Sequence, residues 1–418
     1  MGKIELDHTG SGSGVTLSSD GTDLLLDGSA IGGGGGGADL YAANESTPSA
    51  QPSATGTNAI AIGEESVASG NNSFAVNTQN SIKGATGSNT IAMGDQALAE
   101  GSYSVAIGRL ARAGASASNS VAIGNEAYAT GQQSVSIGYD ATCLNNSYAL
   151  AIGYDAYTVA GNYATAIGNS YAQGGGAFAA NIANNTSTYG ATGASSVAIG
   201  SLAKSTNTQS LAISGNTTTA SGIQATSIGG ENNTASGTRA TALGGSTNYA
   251  TGQESYAFGN RASAKEIGKY SYGGYFGFSG TFAGGFGVGG SQGGMMILGA
   301  ATTDATPTVL RTNTSAAGST NQLVAFTDTC IMFSGTLVAM QNGAQDQGGW
   351  EIKGLLKNDG GTTTLVSSNI QTFADGNGWT VALTADNTNN ALAITCTGEA
   401  AHNIRWVANI STSEVTYA

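Results

Sequence analysis

Charge is scarce in this chain. Of 418 residues 9% are charged, with 13 Lys or Arg against 26 Asp or Glu. A net charge of −13, with no two basic residues adjacent, offers nothing to neutralise a phosphate backbone, so nucleic acid is excluded as a partner. Proline, at 3 residues, is too rare for a collagen-like or Pro-rich chain. The three cysteines, Cys143, Cys330 and Cys396, form no disulfide framework and no paired metal-ligand spacing. Each is expected to be a small buried apolar residue. No stretch approaches the ~20 apolar residues of a membrane helix. The N-terminal MGKIELDHTGSGSG has no basic segment leading into an apolar run, so a soluble product of a cytosol is expected.

Catalytic signatures are missing too. His8 and His402 have no Ser, Cys or carboxylate at a triad-like spacing. The glycine runs are followed by no helix and end in no Lys-Ser/Thr, so they cradle no phosphate. Gly34–Asp39 fits the calcium nonapeptide pattern once, without stacked partners, and Asp20, Asp23 and Asp27 read as a solvated hairpin. No catalytic residue, metal ligand or cofactor is expected. The chain is not expected to be an enzyme, since polysaccharide depolymerase spikes use a larger coil than this period can enclose.

What is present is a repeat. Fourteen times between residues 58 and 259 an apolar pentad ends in a turn, as in SVAIG at Ser104–Gly108, Ser120–Gly124 and Ser196–Gly200. Successive pentads end 13 to 19 residues apart, mostly 14 or 15, which is the signature of a coil climbing an axis. In a pentad such as Ser120–Gly124, Val and Ile sit two residues apart and so share one strand face. The candidate repeat core is therefore Val105, Ile107, Val121, Ile123, Val135, Ile137, Val197 and Ile199, with Gly108, Gly124, Gly138 and Gly200 turning the corners. The opposite Ala/Ser face is expected to be a flat surface that another chain can approach. A second short run, such as Ala127–Gly131, completes each turn of strand, corner, strand, corner. At ~4.8 Å per coil, fourteen coils make a rod on the order of 65 Å.

The rest divides into three regions. Residues 1–57 hold a predicted β-hairpin (Gly14–Gly28), then six glycines, Gly32–Gly37, as a flexible tether. The repeats occupy 58–267. Residues 268–300 interleave Tyr270, Tyr272, Tyr275, Phe276, Phe278, Phe282 and Phe286 with glycine and read as an interchain neck. Residues 301–418 carry alternating runs that predict an antiparallel β-sandwich or jelly roll. Trp350, Trp379 and Trp406 fall on these strands as core or as binding aromatics of a tip domain.

The pentads resemble the head repeats of the YadA-like trimeric adhesins, and Ser120–Ser134 (SVAIGNEAYATGQQS) matches every specified position of that pattern. The resemblance implies a homotrimeric left-handed parallel β-roll. Thr302–Thr312, Gly378–Ala418 and the opening HTGSGSGVTLSSDGTDLLLDG are similar to ends of phage tail-fibre and virion structural proteins. Together these imply a trimeric phage tail fibre of the virion. It would dock through 1–57 on a tail or capsid protein and bind a host surface receptor, a glycan or outer-membrane protein, at its C-terminal tip. The alternatives are a capsid-attached fibre and a bacterial surface adhesin fragment.

Overall fold

The computed structural model describes residues 4–6, 15–19, 24–26, 29–30, 51–79, 82–182, 188–213, 215–274, 287–343, 346–375 and 378–417. They belong to two compact units, 1–119 and 120–418. Every regular element among the described residues is a β-strand.

In the first unit, Ile4–Leu6, Val15–Ser19, Leu24–Leu26 and Ser29–Ala30 form an antiparallel meander. Leu17 opposite Leu26 and Ser19 opposite Leu24 give the predicted hairpin its register. The glycine tether and the three candidate aspartates lie outside the described residues. Further along this unit, four pentad strands from Ile60–Ile62 to Val105–Ile107 stack parallel and in register. A second sheet of two-residue strands runs from Ser53–Ala54 to Arg112–Ala113.

The second unit repeats the scheme. Eleven pentad strands run from Val121–Ile123 to Tyr270–Gly273, and a companion sheet from Tyr128–Ala129 to Ser263–Ala264. Register survives the uneven period: Phe178 pairs with Thr165 below and Val197 above, across steps of 13 and 19 residues. The variation is absorbed in corners, because only the strands must match. Tyr270–Gly273 is a fifteenth strand built from KYSYG, a pentad whose aromatics and lysine hide its kinship to SVAIG.

Corners need left-handed backbone. Glu126 (φ 60°), Gln133 (φ 55°), Asp140 (φ 52°) and Tyr148 (φ 59°) supply it, each two residues before a strand. The pentad serine then ties the corner: Ser134 Oγ donates to the Gly131 carbonyl at 2.6 Å, and Ser196 Oγ to that of Gly193 at 2.7 Å. Gly131 itself has no alternative, because a Cβ there would run into the Asn146 carbonyl of the next coil.

The coil interior is made of alanine, which corrects the candidate core. Ala106, Ala122, Ser136 and Ala198, the middle residues of their pentads, are buried, as are Ala113, Ala129 and Cys143 opposite. Val105, Ile107, Val121, Ile123, Val135, Ile137, Val197 and Ile199 point outward instead and are half-buried or exposed. The cause is steric. Corners as short as Gly124–Ala127 hold the two sheets so close that only small side chains fit between them, Ala and Ser mostly, with Cys143 and Thr158. Polar interior groups use backbone acceptors: Ser136 Oγ donates to the Tyr128 carbonyl at 2.7 Å, and Cys143 Sγ lies 3.3 Å from that of Val135. Burial pushes the Cys143 thiol up, consistent with an inert residue.

One consequence is testable by thermal unfolding. Ala166→Leu, inside the coil, should cost about 1–3 kcal/mol or more through overpacking. Val197→Leu, outside it, should change stability by less than about 1.5 kcal/mol. Equal melting of the two variants would contradict the alanine interior.

The C-terminal part of this unit is a sandwich of antiparallel sheets, as expected. One sheet has strand order Ser291–Thr302, Ile404–Thr416, Thr329–Gln341, Gln347–Asp359, Thr362–Asp375. The other joins Thr308–Val309 and Leu323–Val324 to Ala391–Thr397, which also pairs with Thr380–Asp386. The segment read as a neck is partly strand at both ends, in Tyr270–Gly273 and in Ser291–Thr302. Its Tyr275, Phe276, Phe278, Phe282 and Phe286 lie outside the described residues.

Candidate interaction surfaces

With alanine inside, each pentad strand presents two larger side chains outward. In the first unit these are Ile60 and Ile62, Phe74 and Val76, Ile91 and Met93, Val105 and Ile107. In the second, one column reads Val121, Val135, Leu150, Thr165, Phe178, Val197, Leu211, Thr226, Thr241, Tyr256, Tyr270. The adjacent column reads Ile123, Ile137, Ile152, Ile167, Ala180, Ile199, Ile213, Ile228, Leu243, Phe258, Tyr272. Ile137, Ile152 and Ile167 remain 37–41% exposed. Two columns without a charge, apolar or aromatic except at Thr165, Thr226 and Thr241, are not a solvent face. Gly108, Gly124, Gly138 and Gly200, at φ between 118° and 136°, close their pentads as expected of corner residues.

The companion sheet looks different. Its outward residues include Tyr128, Thr142, Tyr157, Tyr171, Lys204, Thr219, Thr234 and Tyr249. Tyrosines stack along the axis there and at the corners: Tyr157 on Tyr171, Tyr139 on Tyr154 and Tyr148 on Tyr163, with ring centroids 4.8–5.7 Å apart. Such ladders cover each other's faces and brace the coils.

The fifteenth strand carries a buried ionic cluster that sequence reasoning missed. Lys269 occupies the place of the pentad serine, and Glu266 that of the corner glycine. Lys269 Nζ lies 3.0 Å from Glu266 Oε1 and 2.9 Å from Glu414 Oε1, and all three side chains are at most 5% exposed. Thr412 Oγ1 donates to Glu414 at 2.6 Å, and Gln292 Nε2 at 2.7 Å. Gln292 also bonds Ser263 through both ends of its amide, so the last coil is locked to the sandwich. Burial pushes the Glu414 carboxyl up, but Lys269, Thr412 and Gln292 outweigh it and hold it below the usual carboxylate value. Burial dominates at Glu266 and raises it. At Lys269 burial acts downward, and the two glutamates more than offset it. The signal was available: Lys269 stands where every other coil has Ala, Ser or Thr, and Glu266 where the others have Gly, Ala or Asn.

In the sandwich, Trp350, Trp379 and Trp406 are core residues, at most 3% exposed, so as binding aromatics they are corrected. Trp406 stacks with Trp350 at 5.6 Å and meets Trp379 at the same distance, and its Nε1 donates to Thr302 Oγ1 at 3.0 Å. Burial follows from strand alternation, which aims all three at the facing sheet. Trp406→Ala should lower stability by about 3–5 kcal/mol, read as a drop in the melting midpoint. The cysteines are free thiols, with Cys143 and Cys396 buried and Cys330 half-buried. His402 lies 3.0 Å from Glu399 at the surface; His8 is outside the described residues.

Six stretches of the chain, residues 54–76, 85–111, 115–141, 191–213, 220–247 and 250–271, match the YadA head domain repeat. The matched stretches lie on coils of both units, so those coils are similar to YadA head repeats, while residues 142–190 between them are not matched. No curated protein matches the chain. Among solved structures, the tailspike protein of Acinetobacter phage vB_ApiP_P1 is 8% identical over 88% of this chain and 81% of that one. Its TM-score of 0.18 is too low for any argument from shape.

Proposed function

We propose that this stack of YadA head repeats is the spacer of a homotrimeric fibre, and that the fibre belongs to a phage tail, with the C-terminal sandwich facing the host. The paired Val/Ile columns carry the reading. Burying what remains exposed of one such side chain contributes on the order of 1 kcal/mol. With two per coil along the eleven coils of the second unit, the sum exceeds the ~4–15 kcal/mol that association costs. Cyclic closure covers the columns on every copy and leaves no open stripe. The kinship to trimeric adhesin heads favours three copies over two.

The phage assignment is supported by the likeness of Thr302–Thr312, Gly378–Ala418 and the N-terminal region to virion proteins. Residues 1–57 would dock on a tail or capsid protein. The tip would bind a surface glycan or outer-membrane protein, with exposed side chains such as Phe373 in reach of a receptor. Three weak contacts on one fibre then act together. The fibre acts by attachment and not by catalysis.

Light scattering on the purified chain should give the mass of three copies, and the soluble protein should compete with whole virions for host cells. A monomer would sink the fibre. A trimer that leaves adsorption untouched would remove the host-binding role and keep the fibre.

A further inference from the structure

The outward face of the pentad sheet does not end with the repeats. Tyr270–Gly273 pairs antiparallel with Ser291–Thr302, placing Tyr270 opposite Met295 and Tyr272 opposite Gly293. The Tyr272 ring lies across Gly293, where a Cβ would collide unless the ring swung aside. The same sheet then continues through Ile404–Thr416 and Thr329–Gln341, with Val407 opposite Val338. On this outer face Met295, Ile297, Met332, Val338, Met340 and Val407 are 46–59% exposed. They alternate with buried Met296, Leu298, Ile331, Phe333, Leu337, Trp406 and Ala408, so their exposure is a feature of the face and not of frayed ends.

Charge marks where the apolar area stops. Across these three strands the only outward charge is Arg405, at one end; the remaining outward positions are Val415 and residues of Ser, Thr, Asn, Gly, Ala and Cys. On the next strand, Gln347–Asp359, the outward positions include Glu351, Lys353 and Lys357. An uncharged centre bounded by a charged rim is the composition of a protein–protein contact.

We propose that this outer face of the C-terminal sandwich, centred on Val338 and Val407, is the continuation of the contact between copies of this chain. The occupant is a second copy because the face is one hydrogen-bonded sheet with the Val/Ile columns, so whatever covers one lies against the other. The proposal rests on the trimeric reading of the repeats and extends it. The sandwich is then part of the trimer and not a free lobe, and receptor contact is left to the opposite sheet and to the edge strand Thr362–Asp375.

The test uses the full chain with the photo-cross-linker p-benzoylphenylalanine at position 338, at position 199 in the repeats, or at position 382. Ala382 is exposed on the opposite sheet, where its neighbours Val381 and Leu383 pack inward. Irradiation should give ladders of two and three chains from 338 and 199, and none from 382. A ladder from 199 with none from 338 overturns this proposal and leaves the repeat trimer standing. Monomer from both positions overturns the two together. Equal ladders from 338 and 382 mean chance collisions and also overturn it.

Discussion

Ile123→Asp combined with Ile137→Asp is expected to convert the assembled protein to monomer. The two side chains are neighbours in one outward column, paired strand to strand. In a closed ring every copy would bring two carboxylates into a face made of Val, Ile and Leu. Leaving a charge buried and unpaired costs several kcal/mol even after relaxation, and the ring multiplies that by the number of copies. The coils themselves should survive, because neither residue touches the alanine interior. The expected result by light scattering is a fall to the mass of one chain with an unchanged β-sheet circular dichroism spectrum. Ala122→Asp makes the contrast: it attacks the interior and should abolish the fold itself. If the double variant kept the wild-type mass, the columns would not be the contact.

The second large effect is expected from Lys269→Met. Among the described residues the ammonium is the one counter-charge paired with Glu266 and Glu414, and Glu266 Oε2 already lacks a hydrogen-bond partner. Removing it leaves two buried carboxylates facing each other, at a cost of about 3–5 kcal/mol. The pH dependence follows from the directions of the shifts. Glu414 is held below its ordinary value, so its contribution is present above the carboxylate range and is lost as pH falls through the lowered value. Lys269 is held above its ordinary value, so its contribution is complete below the lysine range and is lost only as pH rises through the raised value. Glu266, raised by burial, has the opposite sign to Glu414 and favours the fold more as it protonates. In the variant both carboxyls gain by protonation, so the deficit against wild type should shrink between about pH 7 and about pH 4. Thermal melting at the two pH values reads this directly. Adding Glu266→Gln and Glu414→Gln to the variant should recover most of the loss at neutral pH. A deficit that does not vary with pH would show that packing, and not charge, is what Lys269 supplies.

Much of this was legible in the residues. The pentad period predicts the parallel coils, Gly14–Gly28 the hairpin, and the alternating runs of 301–418 the antiparallel sheets that are observed. The direction of the coil faces was read the wrong way round, although the chain holds the clue. Across the copies the middle residue is always Ala or Ser, while its neighbours range over Val, Leu, Thr, Phe and Tyr. A position that never grows is one with no room, and a position that varies in size faces open space or a partner. Hydrophobicity alone assigned Val and Ile to the inside; volume assigns alanine there.

By itself, then, the sequence determined that this chain coils, because period and corner residues are local properties that the backbone must obey. It also determined that the coils expose a regular stripe, since alternation fixes which residues share a face. Which stripe is inside was decided by tertiary structure, through the spacing that two short strands and their corners impose. Tertiary structure alone also brought Lys269 to Glu414, 145 residues away, and joined the last coil to the sandwich in one sheet. No local pattern encodes a pairing across that distance, because it depends on where the whole C-terminal sheet comes to rest.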